Sequence, residues 1–305
     1  MSDHKSIQVR VPATAANLGP GFDCLGLSLD IWNEAEFSFH GNSLSIEIEG
    51  EGADSLPCDE SNLIFRCLQR LAVEYKISLP RGIRIRCKNR IPVSSGLGSS
   101  SAAIIAGLVG GSKLLEIDCP DAKLLEIGYH FEEHLDNIAA CFYGGLIIAF
   151  LHNNQAYSIK ISPKPLSVVI ALPKVALSTK EARRVLPEQV EFCDAIFNIS
   201  RTAVLVSAFC QGEFERLPIG MDDRLHQPYR YNLIPGAQAA QAAAIQAGAL
   251  GAALSGAGPS LIALLRQKDD GKVAEAMRQS FLDYGFLVRI FSSQSTDLGA
   301  QIIQD

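Results

Sequence analysis

Residues 92–103, Pro92-Val-Ser-Ser-Gly-Leu-Gly-Ser-Ser-Ser-Ala-Ala103, place two glycines and three consecutive serines ahead of an apolar run, Ala102 to Val109. This pattern reads as a loop feeding the N-terminus of a buried helix. Unpaired amides and the helix dipole at such a terminus favour an anion. Gly96 and Gly98 keep the backbone free of side-chain bulk, and successive amides in such a turn form a further anion nest. The hydroxyls of Ser99, Ser100 and Ser101 suit phosphate oxygens or a hydrated Mg²⁺. No Gly-Lys-Ser/Thr follows, so this is not a Walker A loop, and the glycine spacing is not that of a dinucleotide-binding turn. By its residues alone, the segment is equally a glycine–serine turn capping a core helix.

The flanking elements follow from periodicity. Ile7 to Val11 alternates as a half-buried strand does, and so does Gly82 to Lys88, with Ile83 and Ile85 set against Arg84 and Arg86. Gly19-Pro20-Gly21 predicts an irregular loop that presents Asn17 and Asp23, residues that also serve as local turn caps. Phe37 to Gly50 predicts a hairpin turning at Gly41-Asn42. Asn62 precedes a helical period of Leu63, Phe65, Leu68, Leu71 and Ala72, where capping explains most of its presence. Leu124 to Glu133 reads as a helix, followed by His134-Leu-Asp136-Asn137 and a strand from Leu146 to Phe150.

A boundary is expected near Gln155 to Pro165, which divides the chain into units of residues 1–160 and 161–305. The second unit reads as a strand (166–172), helices (193–211 and 236–249), paired strands (252–255 and 261–265), a helix (272–284) and a strand (286–291). Helices over one face of a mostly antiparallel sheet make an α+β unit.

The chain is 305 residues long, enough for two such units. A net charge of −6 argues against nucleic acid or an anionic membrane as partner, and not against a small anion in a local pocket. The eight cysteines are scattered with no Cys-x-x-Cys pair, which predicts free thiols in a reducing compartment. Met1 to Pro12 lacks the apolar core of a signal peptide, and no uninterrupted apolar run reaches the length of a membrane span. A cytoplasmic location is expected.

Pro-x-x-x-Gly-Leu-Gly-Ser-Ser resembles the phosphate-binding motif of the GHMP kinases. Across almost its entire length, the chain is most similar to the homoserine kinase branch. Asn17 to Asp23 resembles that branch's first motif, and His134-x-Asp136-Asn137 its His-Pro-Asp-Asn motif, with Leu135 in place of proline. Ser178-Thr179-Lys-Glu-Ala-Arg183 and His226-Gln-Pro-Tyr-Arg230 resemble its two arginine elements, and Leu254 to Ser260 the third superfamily motif.

The resemblance implies a two-domain α+β fold. Its N-terminal half is a ribosomal-protein-S5-like β/α domain that binds ATP, and its C-terminal half a ferredoxin-like α+β domain. It also implies transfer of the ATP γ-phosphate to L-homoserine. The alternatives are a mevalonate-type kinase of the same superfamily and a non-catalytic nucleotide-binding homologue.

Residue by residue, the resemblance assigns the nucleotide to Asn62, Pro92, Ser95, Gly96, Leu97, Gly98, Ser99, Ser100, Ser101, Gly256 and Gly258. The amino-acid substrate falls to Asn17, Asp23, Asp136, Asn137, Arg183 and Arg230, with Asn17, Asn137 and Thr179 near the attacking hydroxyl. Two arginines suit one carboxylate and two aspartates an ammonium. His134 is expected to be a packed loop histidine. Mg²⁺ would sit on Ser99 or Ser100 and a helix carboxylate. The commonest position of that carboxylate falls on His130, a poor ligand for a hard cation. Glu126, one turn earlier on the same face, is taken as the ligand; Glu132 and Glu133 follow, and a shifted register or weakened metal binding are the alternatives. A homodimer is implied, with no interface identifiable.

Overall fold

A computed structural model describes residues 6–132 and 134–303. The first half begins with strand β1 (Ile7–Asn17) and the long strand β2 (Gly21–Phe39), which form an antiparallel hairpin. Regular pairing therefore reaches further than the predicted irregular loop, and only residues 18–20 form the turn. The turn is tight because Asn17, Leu18 and Gly19 all carry positive φ. Strand β3 (Ser45–Gly50), helix α1 (Leu63–Glu74) and strand β4 (Ile83–Asn89) follow.

The expected hairpin across Gly41-Asn42 does not form. Strand β4 lies between β2 and β3, antiparallel to the first and parallel to the second. Backbone contact explains the insertion. The His40 N–H donates to Gly82 O at 2.9 Å, so the chain entering β4 occupies the ladder β3 would have used. The alternation read in 82–88 holds, with Ile83 and Ile85 in the core and Arg84 and Arg86 outside, paired with Glu47.

Helices α2 (Ser99–Leu114), α3 (Asp121–Glu132) and α4 (Asp136–Tyr143) complete the first layer, with strands β5 (Leu146–His152) and β6 (Gln155–Ile161) extending the sheet from β2. Helix α2 is apolar all round because it is buried all round. Its glycines permit close packing. A Cβ at Gly107 would stand 2.5 Å from Ile64 O on α1, and one at Gly110 would stand 2.2 Å from the Phe37 ring on β2.

The second half opens with strand β7 (Ser167–Pro173), helix α5 (Thr179–Arg184) and helix α6 (Phe192–Gln211). Short helices α7 (Leu217–Gly220) and α8 (Gln227–Arg230) precede helix α9 (Ala237–Gln246). Strands β8 (Gly251–Leu254) and β9 (Leu261–Leu265), helix α10 (Lys272–Asp283) and strand β10 (Val288–Gln294) then complete an antiparallel sheet of order β10-β7-β9-β8. By length and composition alone, α6 suffices to cross a membrane. Its Leu205, Ala208 and Phe209 nevertheless enter the same apolar cluster as Val9, Leu27 and Ile104 of the first half, while Phe192, Ile196 and Ile199 face outward.

The last strand, β11 (Gln301–Ile303), returns to the first sheet and pairs with β1. The first sheet is thus closed by the C-terminal end of the chain, which the division at residue 160 does not anticipate.

The packing of α2 on β2 yields a test. Gly110→Ala removes a helix-destabilising glycine yet overfills the contact with Phe37, so the clash should win. A loss of about 1–3 kcal/mol in urea unfolding is expected; an increase in stability would mean that Phe37 yields freely.

Candidate active site

The 92–98 loop is held by backbone bonds and by the hydroxyls of Ser95 and Ser255. Ser94, Gly96 and Gly98 adopt positive φ, and Gly98 caps α2 with no side chain to satisfy the helix. The first intrahelical bond runs from the Ala102 N–H to Gly98 O at 2.8 Å. The amides of Ser99, Ser100 and Ser101 therefore open the helix without such partners. The Thr14 N–H donates to Leu97 O at 3.0 Å, and Ser95 Oγ donates to Pro92 O at 2.7 Å. Pro92 and Leu97 are buried supports of the loop.

The turn at 255–260 docks on this loop. Ser255 Oγ donates to Gly96 O at 2.7 Å, and the Ser260 N–H to Ser95 O at 3.1 Å. A Cβ at Gly96 would stand 2.3 Å from Ser255 O, so only glycine fits there.

A cavity of about 470 Å³ opens over the loop, a size suited to a small ligand. Ser95, Gly96, Gly98 and Ser99 to Ser101 lie on its wall, together with Asn62, Glu132, His134, Asn137, Thr179, Gly256 and Gly258. Asn62 also caps α1, accepting from the Ile64 N–H at 3.0 Å.

The carboxylate beside the serines is Glu132. It accepts a hydrogen bond from the Ser101 hydroxyl, and burial raises its pKa against the lowering effect of His134 and of Ser101 and Ser100. Glu126 is a correction to the expectation. It is half-exposed and pairs with Lys123 at 3.0 Å, which itself pairs with Glu74 at 2.7 Å, away from the cavity. The reason is helical phase. Glu126 and His130 share a face of α3, whereas Glu132, at its last position, reaches the α2 N-terminus. Glu133 lies outside the described residues. Ser99 is also turned away from Glu132, its hydroxyl donating to Ile91 O at 3.5 Å.

From Glu132 a polar chain runs toward β1. His134 Nδ1 lies 4.0 Å from Glu132 and 3.1 Å from Asp136 Oδ1. Burial opposes the charged form of His134, but Asp136 and Glu132 outweigh it and raise its pKa. Asp136 Oδ1 also accepts from the Asn137 N–H at 2.7 Å and from Asn137 Nδ2 at 3.2 Å. Thr14 Oγ1 donates to Asn137 Oδ1 at 2.7 Å, which fixes the amide's orientation. Nothing in the sequence marks Thr14, since only the folded hairpin brings it to Asn137.

The remaining charged residues gather beside the 18–23 turn. Arg183 on α5 makes a two-pronged pair with Asp23, at 2.9 and 2.8 Å. Asn17 donates to Gly256 O at 2.8 Å and accepts from the Asp23 N–H at 3.0 Å, so its amide ties the turn to the second half. Arg230 is 2% exposed and donates to Ala182 O at 3.2 Å and Gly256 O at 3.0 Å. Both guanidinium groups lie over one ring, Phe22, at 5.6 Å for Arg183 and 5.2 Å for Arg230. Burial and then the neighbouring Arg183 charge lower the pKa of Arg230 to about 10, with Asp23, Asp223 and Asp136 opposing. An additional anion between two such cations is electrostatically favoured.

Known proteins resemble this chain along its length. The family described as GHMP kinases N terminal domain matches residues 62–145, and GHMP kinases C terminal matches residues 205–283. A homoserine kinase of Carboxydothermus hydrogenoformans is 39% identical over 293 residues, spanning 96% of this chain and 95% of that protein. One of Halothermothrix orenii is 42% identical, spanning 90% and 89%. The crystal structure of a homoserine kinase from Cytophaga hutchinsonii superposes with a TM-score of 0.88 at 30% identity, covering 99% of both chains. A mevalonate kinase of L. major, at 16% identity and a TM-score of 0.68, shares the fold.

The loop geometry predicts the effect of Gly98→Ala. A Cβ there would stand 2.0 Å from Thr14 Oγ1, at φ +70°. Thermal unfolding should show a loss of about 1–3 kcal/mol from the backbone conformation alone. Nucleotide affinity measured by calorimetry should fall as well, and wild-type affinity would mean that the loop tolerates displacement from β1.

Proposed function

Because the chain belongs to the homoserine kinases of the GHMP kinase family, we propose that it transfers the γ-phosphoryl group of ATP to the side-chain hydroxyl of L-homoserine, giving O-phospho-L-homoserine and ADP. The observation that carries the acceptor assignment is the convergence of Arg183 and Arg230, from separate segments, on one ring beside Asp23. A zwitterionic amino acid fits this cluster, with its carboxylate toward the arginines and its ammonium toward Asp23 and Asp136.

The phosphate loop supplies the other half. The amides of Ser99, Ser100 and Ser101 and the dipole of α2 hold the phosphates. Asn62 lines the same cavity, where it would meet the base. Asn137, fixed by Thr14, and Thr179 orient the attacking hydroxyl, while Asn17 holds the acceptor turn in place. Phosphoryl transfer through a loose transition state depends on positioning and charge stabilisation, so the chemistry does not call for a strong general base.

The oxygen set of Glu132, Ser100 and Ser101 fits Mg²⁺, a hard cation that prefers such ligands. A buried carboxyl already raised in pKa is relieved by a cation. When bound, the ion neutralises phosphate charge. With Glu132 available, the imidazole of His130 no longer speaks for a non-catalytic homologue.

A coupled ADP-release assay with ATP and Mg²⁺, offering L-homoserine, mevalonate and galactose in parallel, tests the acceptor. Turnover with homoserine alone is expected, and turnover with mevalonate but not homoserine would overturn the assignment. The metal carboxylate is tested by Glu132→Gln against Glu126→Gln. The first should lower kcat by about 100-fold or more and raise the Mg²⁺ requirement, and the second should stay near wild type. The reverse ranking would return the role to Glu126.

A further inference from the structure

Arg230 does not stand alone. Its Nη1 lies 3.1 Å from His226 Nδ1, one turn earlier, and His226 Nε2 lies 2.7 Å from Gly19 O in the turn between β1 and β2. A guanidinium can only donate. Nδ1 must therefore carry a lone pair, which places the ring proton on Nε2, where it donates to Gly19 O. One neutral tautomer satisfies both contacts. The other satisfies neither, and the imidazolium would set an N–H against an N–H.

The surroundings lock the ring in this state. His226 is fully buried. Phe22 stacks on it with centroids 5.1 Å apart, and both guanidinium groups lie over the same Phe22 ring. Asp223 accepts from the His226 N–H at 3.1 Å and the Gln227 N–H at 2.7 Å, fixing the backbone that bears the ring. Burial pushes the imidazole below the ordinary histidine range, in keeping with the neutral form. Nε and Nη1 of Arg230 are both engaged by protein acceptors, whereas its Nη2 has no protein partner among the described residues.

We infer that His226 is a positioning residue for acceptor specificity: its neutral Nε2–H imidazole aims Arg230 and couples that arginine to the 18–23 turn, so that recognition of the substrate carboxylate depends on a histidine that never touches it. The inference rests on the proposed placement of the homoserine carboxylate at Arg230.

The test uses the full-length enzyme and the ratio of kcat/KM for L-homoserine to kcat/KM for 3-amino-1-propanol, which keeps the ammonium and hydroxyl but lacks the carboxylate. Arg230→Ala should collapse this ratio by about tenfold to hundredfold. His226→Gln keeps a nitrogen donor where Nε2 sits but loses the acceptor at Nδ1, and should collapse the ratio comparably. His226→Asn places its amide oxygen where Nδ1 sits and should retain most of the ratio. Equal ratios in the two His226 variants, or a wild-type ratio in His226→Gln, would overturn the role of His226 while leaving Arg230 in place. A wild-type ratio in Arg230→Ala would overturn the carboxylate placement itself, and the inference with it. Both His226 variants keep a polar side chain in the buried site, and soluble folded protein is checked by circular dichroism before kinetics.

Discussion

Two turns from distant parts of the chain meet here with almost no side chain between them. Residues 95–98 and 255–260 are joined by Ser255 Oγ to Gly96 O and the Ser260 N–H to Ser95 O, and Gly256 extends the seam by donating its N–H to Ala16 O at 3.1 Å. Gly256 O then accepts from both Asn17 and Arg230. Buried backbone groups must be paired, and in this seam each pairing also ties one distant segment of the chain to another. The 95–98 loop, the 18–23 turn and Arg230 are thereby held in one frame. Glycine at 96 is required because any Cβ would strike the opposing backbone.

Around that frame lie two buried charges, Glu132 and Arg230. Burying an ionised group is costly unless it is paired. Glu132 has serine hydroxyls and a histidine 4.0 Å away, and Arg230 has two carbonyls and a neutral imidazole. Among the described residues, Glu132 has His134 as its nearest cationic group, and Arg230 makes no direct ion pair. In the proposed function, a divalent cation would complete the one and a carboxylate the other. Asp23 and Arg183 differ in being each more than a third exposed, so their pair is worth little as stability. It keeps the two groups oriented while water solvates both.

Glu132 reaches the serines from the last described position of α3, and His134 precedes α4. The polar chain from Glu132 through His134, Asp136 and Asn137 to Thr14 then connects the serines of α2 with strand β1. Hydrogen-bonded networks of this kind fix orientations more firmly than isolated pairs do.

Much of this was legible in the sequence because it is local. Gly-Leu-Gly-Ser-Ser before an apolar run dictates a loop and a helix N-terminus wherever it stands, and the alternation of Ile83 and Ile85 with Arg84 and Arg86 dictates which face of a strand is buried. Asn62 caps its helix through a bond to a residue two positions away. The order of strands and helices in the second half follows from the same short-range periodicities. What the sequence could not decide is what depends on contacts between segments far apart in the chain. The strand order placing β4 between β2 and β3, and the return of β11 to β1, are choices among pairings that the alternation alone leaves equivalent. Glu126 and Glu132 differ by less than two helical turns, and only the packing of α3 against α2 determines which carboxylate faces the serines. Thr14 and His226 are unremarkable in the sequence because a hydroxyl or an imidazole acquires its role from the partner brought to it, and those partners are 123 and 207 residues away.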